Sequence, residues 1–342
     1  MHDPLIADTT HRIFRDVGSG SVDAVRAELW TALEDAGLTR AWTPESLDGS
    51  GATLSDGFEI IRIAAQSSVQ VPIAESLLAS WLLMQAGIAT PQGLLTIAPV
   101  DPRDVFTLKD ALSGRARAVP FAREATHLAV LAKQSSYWSV ALVAQSEWRV
   151  DPASNVAGEP RDAVELRRAL PIASQLSAID FDTLMLMGAA VRAMQMAGAL
   201  QSILDMSVAY ANERVAFEKP IGKFQVIQHT LAKLAGEVAA AIAAAGSAAD
   251  AIQTSKTFDE SVFLEVAAAK IRVGEAVTVG AGIAHQVHGA IGFSREHALH
   301  RYTQRLWAWR DDFGSESLWA VRLGTLVAGR GADALWPMLA AR

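Results

Sequence analysis

A short charged corner between two helical runs constrains this chain more than any other stretch. It reads YANERVAFEKPIGKFQVIQH from Tyr210 to His229, and alanine-rich helical patterns lie on both sides of it. Pro220 has no backbone N–H and Gly222 tolerates positive φ, so this pair breaks one helix and lets the next begin. The sequence therefore predicts two helices joined by a tight turn.

The corner concentrates positive charge where an anion would be held. Arg214 stands at the end of the first helix, where a cation interacts favourably with the helix dipole. Lys219 and Lys223 flank the turn, and the next helix begins near Lys223 with free N–H groups that suit an anion. A phosphate group fits this arrangement. A charged helix–helix corner without any ligand fits it equally well, because such corners are common.

Two ordered motifs resemble those of a known family, the acyl-CoA dehydrogenases. The corner matches the signature of that family's C-terminal domain, and Gln286 to Phe293 (QVHGAIGF) is similar to its second signature. Arg301-Tyr302 follows at the expected offset. The resemblance covers the chain well from about Ile179 to the C-terminus and more loosely before it. The matching positions of the corner are Tyr210, Arg214, Phe217, Pro220-Ile221, Phe224-Gln225 and His229.

The chain is predicted to be mainly α with a small β domain, in the arrangement of an acyl-CoA dehydrogenase. Amphipathic patterns predict an N-terminal helical domain over residues 1–92. Short apolar runs rich in Val, Thr and aromatic residues begin near Gly93 and predict a middle β domain over residues 93–172. Long helical patterns joined by short loops predict a C-terminal four-helix bundle over residues 173–342.

Individual helices can be placed within these domains. In the first domain the predicted helices are Val22 to Ala36, Leu54 to Ala65 and Pro72 to Ala86. Trp81 lies among leucines and is predicted to be a core residue. In the last domain a long helix from Glu260 to His288 is expected to carry Lys270 along its polar side, together with Glu265 and Arg272.

Composition excludes several classes of protein. Hydrophobic residues make up 51% and charged residues 20% of the 342 positions, which is typical of a chain with a packed core and unlike a disordered one. The net charge of −7 argues against nucleic acid as a partner, because phosphate binding needs concentrated positive charge. There are no cysteines, so disulfides, thiolate metal sites and a cysteine nucleophile are excluded.

Nothing in the sequence indicates a targeting or membrane segment. The first residues, MHDPLIADTTHRIF, lack the basic and apolar regions of a signal peptide. The most apolar run, Val238 to Ala245, falls well short of the roughly 20 residues that cross a bilayer. We therefore expect a cytoplasmic protein without a membrane span.

The resemblance implies an FAD-dependent enzyme that introduces an α,β double bond into an acyl-CoA thioester. In that reaction a carboxylate removes the α proton, the flavin takes the β hydride, and hydrogen-bond donors hold the thioester oxygen. An electron-accepting flavoprotein is the expected redox partner. Degradation of fatty acids or of sterol side chains is the process that the resemblance implies.

Five residues are assigned to FAD by the resemblance. Arg214 and Phe217 contact the diphosphate and adenosine side, and Gln225 lies near the same region. Gln286 and Gly289 lie against the FAD of a neighbouring subunit, so an oligomer is expected. Glycine at position 289 lets the backbone approach a phosphate or ring closely, although a simple loop after a helix would also use it.

The chain departs from the family at places that bear on the flavin. Glu218 stands where the family usually has glycine, and its negative charge is expected to weaken FAD binding. Ala290 replaces a second glycine. The family's Thr-Glu-Pro-x-x-Gly-Ser-Asp and Trp-x-Thr-Asn-Gly segments, which hold the flavin ring and part of the substrate, are absent. The β domain is therefore not expected to grip the ring in the usual way.

The catalytic base has no direct counterpart in this sequence. The family's commonest catalytic glutamate precedes a Gly-Thr pair, and the aligned pair here, Gly314-Ser315, follows Phe313. Asp312 and Asp311 are the candidate catalytic residues, because one of two adjacent carboxylates can be tuned toward proton abstraction. The same pair would also serve as a solvated helix cap, since Asp is favoured there. Asp182, on an earlier helix, is a weaker candidate.

Four histidines near the second motif do not predict a metal site. The spacing of His285, His288, His297 and His300 matches no zinc or di-iron pattern. We therefore expect no metal.

The short chain and the missing ring-binding segments resemble the smaller subunits of heteromeric bacterial acyl-CoA dehydrogenases. We therefore predict a subunit that shares its FAD site with a larger partner chain. Two alternatives remain open at this stage. The chain could be a self-sufficient homo-oligomeric enzyme, or a non-catalytic scaffold that stabilises a catalytic partner.

Overall fold

The computed structural model describes residues 3–16 and 22–340 of the chain. The chain divides into two compact units, Met1–Val191 and Arg192–Arg342. In the first unit helices precede strands, which is the order predicted for residues 1–92 and 93–172, although the predicted domain boundaries themselves stay predictions. A mainly helical fold with one sheet region agrees with the fold class predicted from the sequence.

Four helices begin the first unit, and the sequence patterns predicted all but the first of them. Two starts carry capping residues: the Asp3 carboxylate accepts from the Leu5 N–H at 2.8 Å, and Thr53 and Asp56 form a reciprocal capping box. Trp81 is 1% exposed, so its predicted place in the core is confirmed. The helices are α1 (Pro4–Arg15), α2 (Val22–Asp35), α3 (Leu54–Ala65) and α4 (Ile73–Gln85).

A sheet follows in the described part of the first unit. Its eight strands are β1 (Leu95–Ala98), β2 (Val105–Leu108), β3 (Leu112–Pro120), β4 (His127–Gln134), β5 (Tyr137–Ala144), β6 (Trp148–Asp151), β7 (Arg161–Ala169) and β8 (Ala173–Ser177). Their order is β6-β7-β3-β2-β4-β5-β8, with β1 paired in parallel to β4. Apolar side chains such as Phe106, Leu128 and Val164, which are at most 1% exposed, form the core beside it.

The remaining helices are mostly longer and carry the two motifs. A two-stranded hairpin, β9 (Val215–Ala216) and β10 (Lys219–Pro220), separates the first two of them. The sixth and seventh helices pack along each other. The helices are α5 (Phe181–Glu213), α6 (Gln225–Thr254), α7 (Glu260–His288), α8 (Leu299–Asp311), α9 (Glu316–Arg330) and α10 (Ala332–Ala340).

Two helices of the described residues, α5 and α6, have the length and apolar composition that a membrane span requires. The most apolar window of α5 is 94% buried, as expected for a core helix, whereas that of α6 is 28% buried. Length and composition alone are weak evidence for a span. The apolar stretch in α6 is nevertheless longer than the run Val238 to Ala245 that the sequence singles out.

Candidate functional site

The charged corner is built as the sequence predicts, with one helix that ends and another that begins. The Arg214 N–H donates to the Tyr210 carbonyl at 2.8 Å and closes the last turn of α5. The Ile221 N–H donates to the Arg214 carbonyl at 2.8 Å, so the chain folds back on itself across β9 and β10. Because α6 then starts at Gln225, Arg214 lies at the base of a tight hairpin between the two helices.

Two residues at the tip of this hairpin have an unfavourable backbone conformation. Phe217 has a φ of 51° and Glu218 a φ of 65°. Two consecutive residues with positive φ are the geometry of a type I′ turn, which glycine adopts most easily. For other residues the left-handed conformation costs roughly 1–2 kcal/mol each. Glycine at position 218, as in the family signature, would relieve part of this strain.

The corner presents an unpaired cation. Arg214 is exposed, and within residues 3–16 and 22–340 its guanidinium has no hydrogen-bond or ion-pair partner. Lys219, in contrast, lies over a ring, with its Nζ 4.4 Å from the centroid of Phe224. Phe217 is 89% exposed, and its ring centroid lies 6.2 Å from that of Phe224. The hairpin therefore offers a free positive charge and an exposed aromatic ring.

A ring contact joins the corner to the second motif. Tyr210 stacks on His288, with ring centroids 4.6 Å apart and an angle of 24° between the planes. Tyr210 lies about one helical turn before Arg214, and His288 is the last residue of α7, directly before Gly289. The two motifs are distant in the sequence, yet they meet at one end of the second unit.

Gln225 and Gln286, one from each motif, line the same open groove. The groove has a volume of about 530 Å³, and His229 and Lys233 also line it. At the end of α7, Gly289 has a φ of 63°, and no atom lies within 4 Å of the position that a Cβ would occupy. The backbone at Gly289 is therefore open to a close approach.

Burial favours the neutral form of two histidines at the end of α7 by lowering the pKa of each ring. Nδ1 of His288 lies 2.8 Å from the Ala284 carbonyl, which only accepts, so Nδ1 carries the proton and Nε2 is bare. Nε2 of His285 lies 3.0 Å from Thr303 Oγ1, whose own proton goes to the His300 carbonyl, so this Nε2 carries the proton. Burial lowers the pKa of both rings, and their bare nitrogens have no hydrogen-bond partner in the described structure.

The histidines of this region contact other rings. His285 stacks on Phe293 with centroids 4.1 Å apart, and His288 lies 4.6 Å from His297. Over residues 3–16 and 22–340, no group of three or more His, Cys, Asp or Glu side chains is placed to hold a metal ion. The rings therefore pack the junction between α7 and α8.

The loop between α8 and α9 holds the two candidate catalytic carboxylates. Asp312 accepts a hydrogen bond from Nε of Arg192 at 2.9 Å, and its side chain is 14% exposed. Asp311 is exposed at the end of α8. Phe313, which the resemblance aligns with the family's usual base, is 1% exposed and has a φ of 55°. The assignment of Asp312 and Asp311 stays a prediction, and the structure adds a buried partner to the first of them.

Two basic residues near this loop are buried, which the sequence patterns did not predict. Lys270, expected on the polar side of its helix, is instead 1% exposed, and its Nζ donates to the carbonyls of Trp309 and Arg310 at 3.2 and 2.8 Å. Burial lowers the pKa of Lys270 to about 7. Arg192 is also 1% exposed and is the only basic residue in the sequence of α5. It is the only charged residue between Thr183 and Leu204, and this isolation in an apolar stretch is the signal that points to it, since a buried charge needs a partner.

Comparison with known proteins gives this arrangement a family. The model of the acyl-CoA dehydrogenase C-terminal domain matches residues 181–310, which include both motifs. The chain is 26% identical over 278 residues to acyl-CoA dehydrogenase IpdE2 of Mycobacterium tuberculosis, a match that covers 81% of this chain and 79% of that protein. Residues 181–310 therefore match an acyl-CoA dehydrogenase C-terminal domain, and the chain is similar to acyl-CoA dehydrogenases over most of its length. Its enzyme class is that of oxidoreductases acting on CH–CH donors.

Two further comparisons are of different kinds: one is a short match in sequence, and the other is a match of the whole fold. Glutaryl-CoA dehydrogenase of Desulfococcus multivorans is 41% identical over 105 residues, which is 31% of this chain and 26% of that protein. The ChsE4–ChsE5 complex from Mycobacterium tuberculosis matches with a TM-score of 0.83 at 23% identity, over 96% of this chain and 97% of that chain. The second comparison shows a shared fold.

The chain has residues whose chemistry fits one side of FAD. Arg214 offers an uncompensated positive charge that suits a diphosphate, and Gly289 leaves its backbone open to a close approach. The exposed ring of Phe217 and the groove described above offer apolar and hydrogen-bonding surface for adenosine. Glu218 opposes this fit, because its exposed carboxylate lies on the same hairpin as Arg214.

Proposed function

We propose that this chain is one subunit of an FAD-dependent acyl-CoA dehydrogenase whose flavin site is shared with a larger partner chain. The reaction is the α,β-dehydrogenation of an acyl-CoA thioester. The observation that carries the proposal is the stack of Tyr210 on His288, which brings the segment of Arg214 to the segment of Gly289. The family uses residues of both segments for its cofactor, and here those segments touch.

The chain's own residues bind and orient the cofactor. The Arg214 guanidinium neutralises the diphosphate, and the open backbone at Gly289 admits the ligand at short range. Gln225 and Gln286 offer amide donors and acceptors along their groove. FAD, when bound, supplies the hydride acceptor of the reaction.

Asp312 is the proposed base, with Asp311 as the alternative. The α proton of a thioester needs a carboxylate that is ionised and fixed in orientation. The hydrogen bond from Arg192 fixes the orientation of the Asp312 carboxylate. Asp311 is exposed and gains no such support from the described contacts of Arg192.

The β domain supports the presence of a partner. The segments that hold the flavin ring in the family are absent from this sequence, and we assign the ring contacts to another chain. The ChsE4–ChsE5 structure, with which this chain shares its fold, is a complex. We extend the same kind of assembly to this chain. We also place it in the cytoplasm, with an electron-accepting flavoprotein as redox partner and fatty acid or sterol side-chain degradation as its process.

A second candidate function is a scaffold subunit that only stabilises a catalytic partner. It is favoured by Phe313, which is buried at the position of the usual base and cannot accept a proton. In that case Arg214 is a surface charge, and the partner alone holds FAD and the base.

Purification with and without the partner separates these functions. The tagged chain is isolated from its native cells together with any acyl-CoA dehydrogenase chain that accompanies it, and separately after expression alone in a heterologous host. Flavin absorbance and the reduction of a dye by acyl-CoA are measured for both samples. A chain that is colourless alone and yellow and active with its partner supports the proposal.

The other outcomes are distinct. A yellow and active chain without a partner is a self-sufficient enzyme, which contradicts the shared site. A complex that keeps its full flavin content and activity after Arg214→Ala contains this chain only as a scaffold.

A further inference from the structure

Asp312 forms an ion pair with the buried residue Arg192. Arg192 lies on α5 and is 1% exposed, and its Nε donates to Oδ2 of Asp312 at 2.9 Å. One of its terminal nitrogens donates to Gln195, about one turn further along α5. Its guanidinium carbon lies 5.9 Å from the ring centroid of Phe313. Arg192 is therefore oriented by its neighbours as well as by the carboxylate that it binds.

The main chain on both sides of Asp312 is fixed by other residues. Lys270 donates to two carbonyls in the last turn of α8, at 2.8 and 3.2 Å. Nε1 of Trp319 donates to the Phe313 carbonyl at 3.0 Å. These contacts hold the backbone, so the contact with Arg192 bears mainly on the orientation of the carboxylate.

We propose that Arg192 is a positioning residue that holds Asp312 as an ionised, singly oriented carboxylate for abstraction of the α proton. The inference rests on the proposed function and on Asp312 as the base. In the step, the α C–H bond breaks and its proton passes to the Asp312 carboxylate. The electron pair of that bond forms the new C=C bond as the β hydride leaves, and FAD, where bound, would supply the acceptor for that hydride. Arg192 acts through Asp312 and does not touch the substrate.

A largely buried carboxylate needs such a partner to work as a base. Burial by itself favours the neutral acid, and a neutral carboxylic acid cannot take up a proton. A guanidinium at hydrogen-bonding distance favours the anion, and its planar donors restrict the orientation of the carboxylate. The arrangement follows the general pattern of catalytic groups, in which the base is itself oriented by a third residue.

The test compares four single variants, and the double variant of Arg192→Gln with Asp312→Asn, in the flavin-loaded complex. Arg192→Gln removes the charge, Arg192→Lys keeps it, and Asp312→Asn removes the base. Arg310→Gln is the matched control, because the ion pair between Arg310 and Glu316 spans the same loop. The readouts are kcat, KM, thermal stability, and exchange of the acyl-CoA α proton with deuterium from D2O. The exchange reports proton abstraction separately from hydride transfer.

We expect Arg192→Gln to lower kcat about as far as Asp312→Asn does, by roughly a hundredfold, with KM little changed. Both variants should lose α-proton exchange. The double variant should be no slower than Asp312→Asn alone, because the two residues act as a unit. Arg192→Lys should have an intermediate kcat, and Arg310→Gln should lose thermal stability while it keeps its kcat.

Two outcomes would overturn the inference. One is an Arg192→Gln variant that is less stable but keeps the wild-type kcat and exchange, because the ion pair would then be a structural contact only. The other is an inactive Asp312→Asn beside an active Arg192→Gln. If Arg192→Gln does not fold, Arg192→Lys decides, since a wild-type kcat and exchange in that variant contradict the inference. A wild-type complex that binds no flavin would instead remove the proposed function.

Discussion

Tyr210 and His288 stack with their ring centroids 4.6 Å apart, and this contact ties the last turn of α5 to the end of α7. Burial lowers the pKa of the imidazole under the phenol ring and favours its neutral form, with Nδ1 held by the Ala284 carbonyl. Arg214 and Gly289 follow these two rings within about a turn of chain. The stack therefore sets the relative position of the two residues that we expect to meet the diphosphate.

Replacement of Tyr210 tests this link. Tyr210→Phe keeps the ring and is expected to keep the wild-type affinity for FAD. Tyr210→Ala removes a ring contact worth about 0.5–1.5 kcal/mol beyond its burial, so the Kd for FAD should rise by up to roughly tenfold. Titration of the flavin-free complex with FAD measures both values. Equal Kd values for the two variants would mean that the stack does not position the site.

Glycine at position 218 is expected to improve both stability and flavin binding. Glu218 has a φ of 65°, which glycine adopts without the Cβ penalty, so Glu218→Gly should raise the free energy of unfolding by about 1 kcal/mol. The same change removes a carboxylate from the hairpin of Arg214. Glu218→Gln is the matched control, because it removes the charge and keeps the strained backbone. Urea unfolding and FAD titration measure the two effects, and equal stability of the two variants would contradict the backbone argument.

The family motifs account for most of what the sequence could predict about the site. The resemblance assigns Gln225 to FAD and Gln286 to the FAD of a neighbouring subunit, and both side chains line one groove. The reversal of the chain between α5 and α6 was likewise readable from Pro220 and Gly222, because their backbone chemistry is local. Features that depend on local chemistry or on a cofactor leave a pattern in the sequence.

Contacts between distant parts of the chain leave no such pattern. The helical pattern predicts Lys270 on the polar side of α7, because charged side chains are usually exposed to solvent. Its burial depends on two carbonyls of α8 that lie 39 and 40 residues further along the chain. Asp312 and Arg192 are 120 residues apart, and nothing near either residue in the sequence indicates the other. Pairing across helices has to be seen in the fold.

Buried Lys270 gives the stability of the chain a pH dependence on the alkaline side. Burial lowers the pKa of Lys270 from 10.5 to about 7 in the folded chain, so the unfolded chain binds more protons between these values. The free energy of unfolding therefore rises with pH across this window, by at most about 1.4 kcal/mol per pH unit. The contribution is complete above pH 10.5 and is lost as the pH falls through about 7.

Lys270→Met removes the titrating group. Its free energy of unfolding, measured with urea, should therefore rise less steeply with pH over the same range. It should also be less stable than the wild type, because two buried carbonyls lose their donor. Parallel pH profiles of the two proteins would contradict a lysine with a lowered pKa.

Acid should weaken the fold through His285 and His288. Burial lowers the pKa of both rings below the ordinary 6.5. Below that pH the unfolded chain therefore binds more protons than the folded chain does. The stability present above pH 6.5 is lost as the pH falls through the folded pKa values. His288→Phe keeps a ring against Tyr210 and cannot titrate, so its loss of stability should be shallower. An equally steep loss would show that His288 does not titrate in this way.

Replacement of Arg214 is the most direct test of the central claim. That claim is that the Arg214 guanidinium binds the diphosphate of an FAD shared with a partner chain. The measurement is the Kd of the assembled complex for FAD after Arg214→Ala, beside Arg167→Ala, an exposed arginine paired with Glu165, as the control. Loss of a charged hydrogen bond of about 1.5–3 kcal/mol predicts a roughly 10- to 100-fold rise in Kd for Arg214→Ala, with unchanged thermal stability of the flavin-free chain. An unchanged Kd for Arg214→Ala, equal to that of the control, would contradict the account.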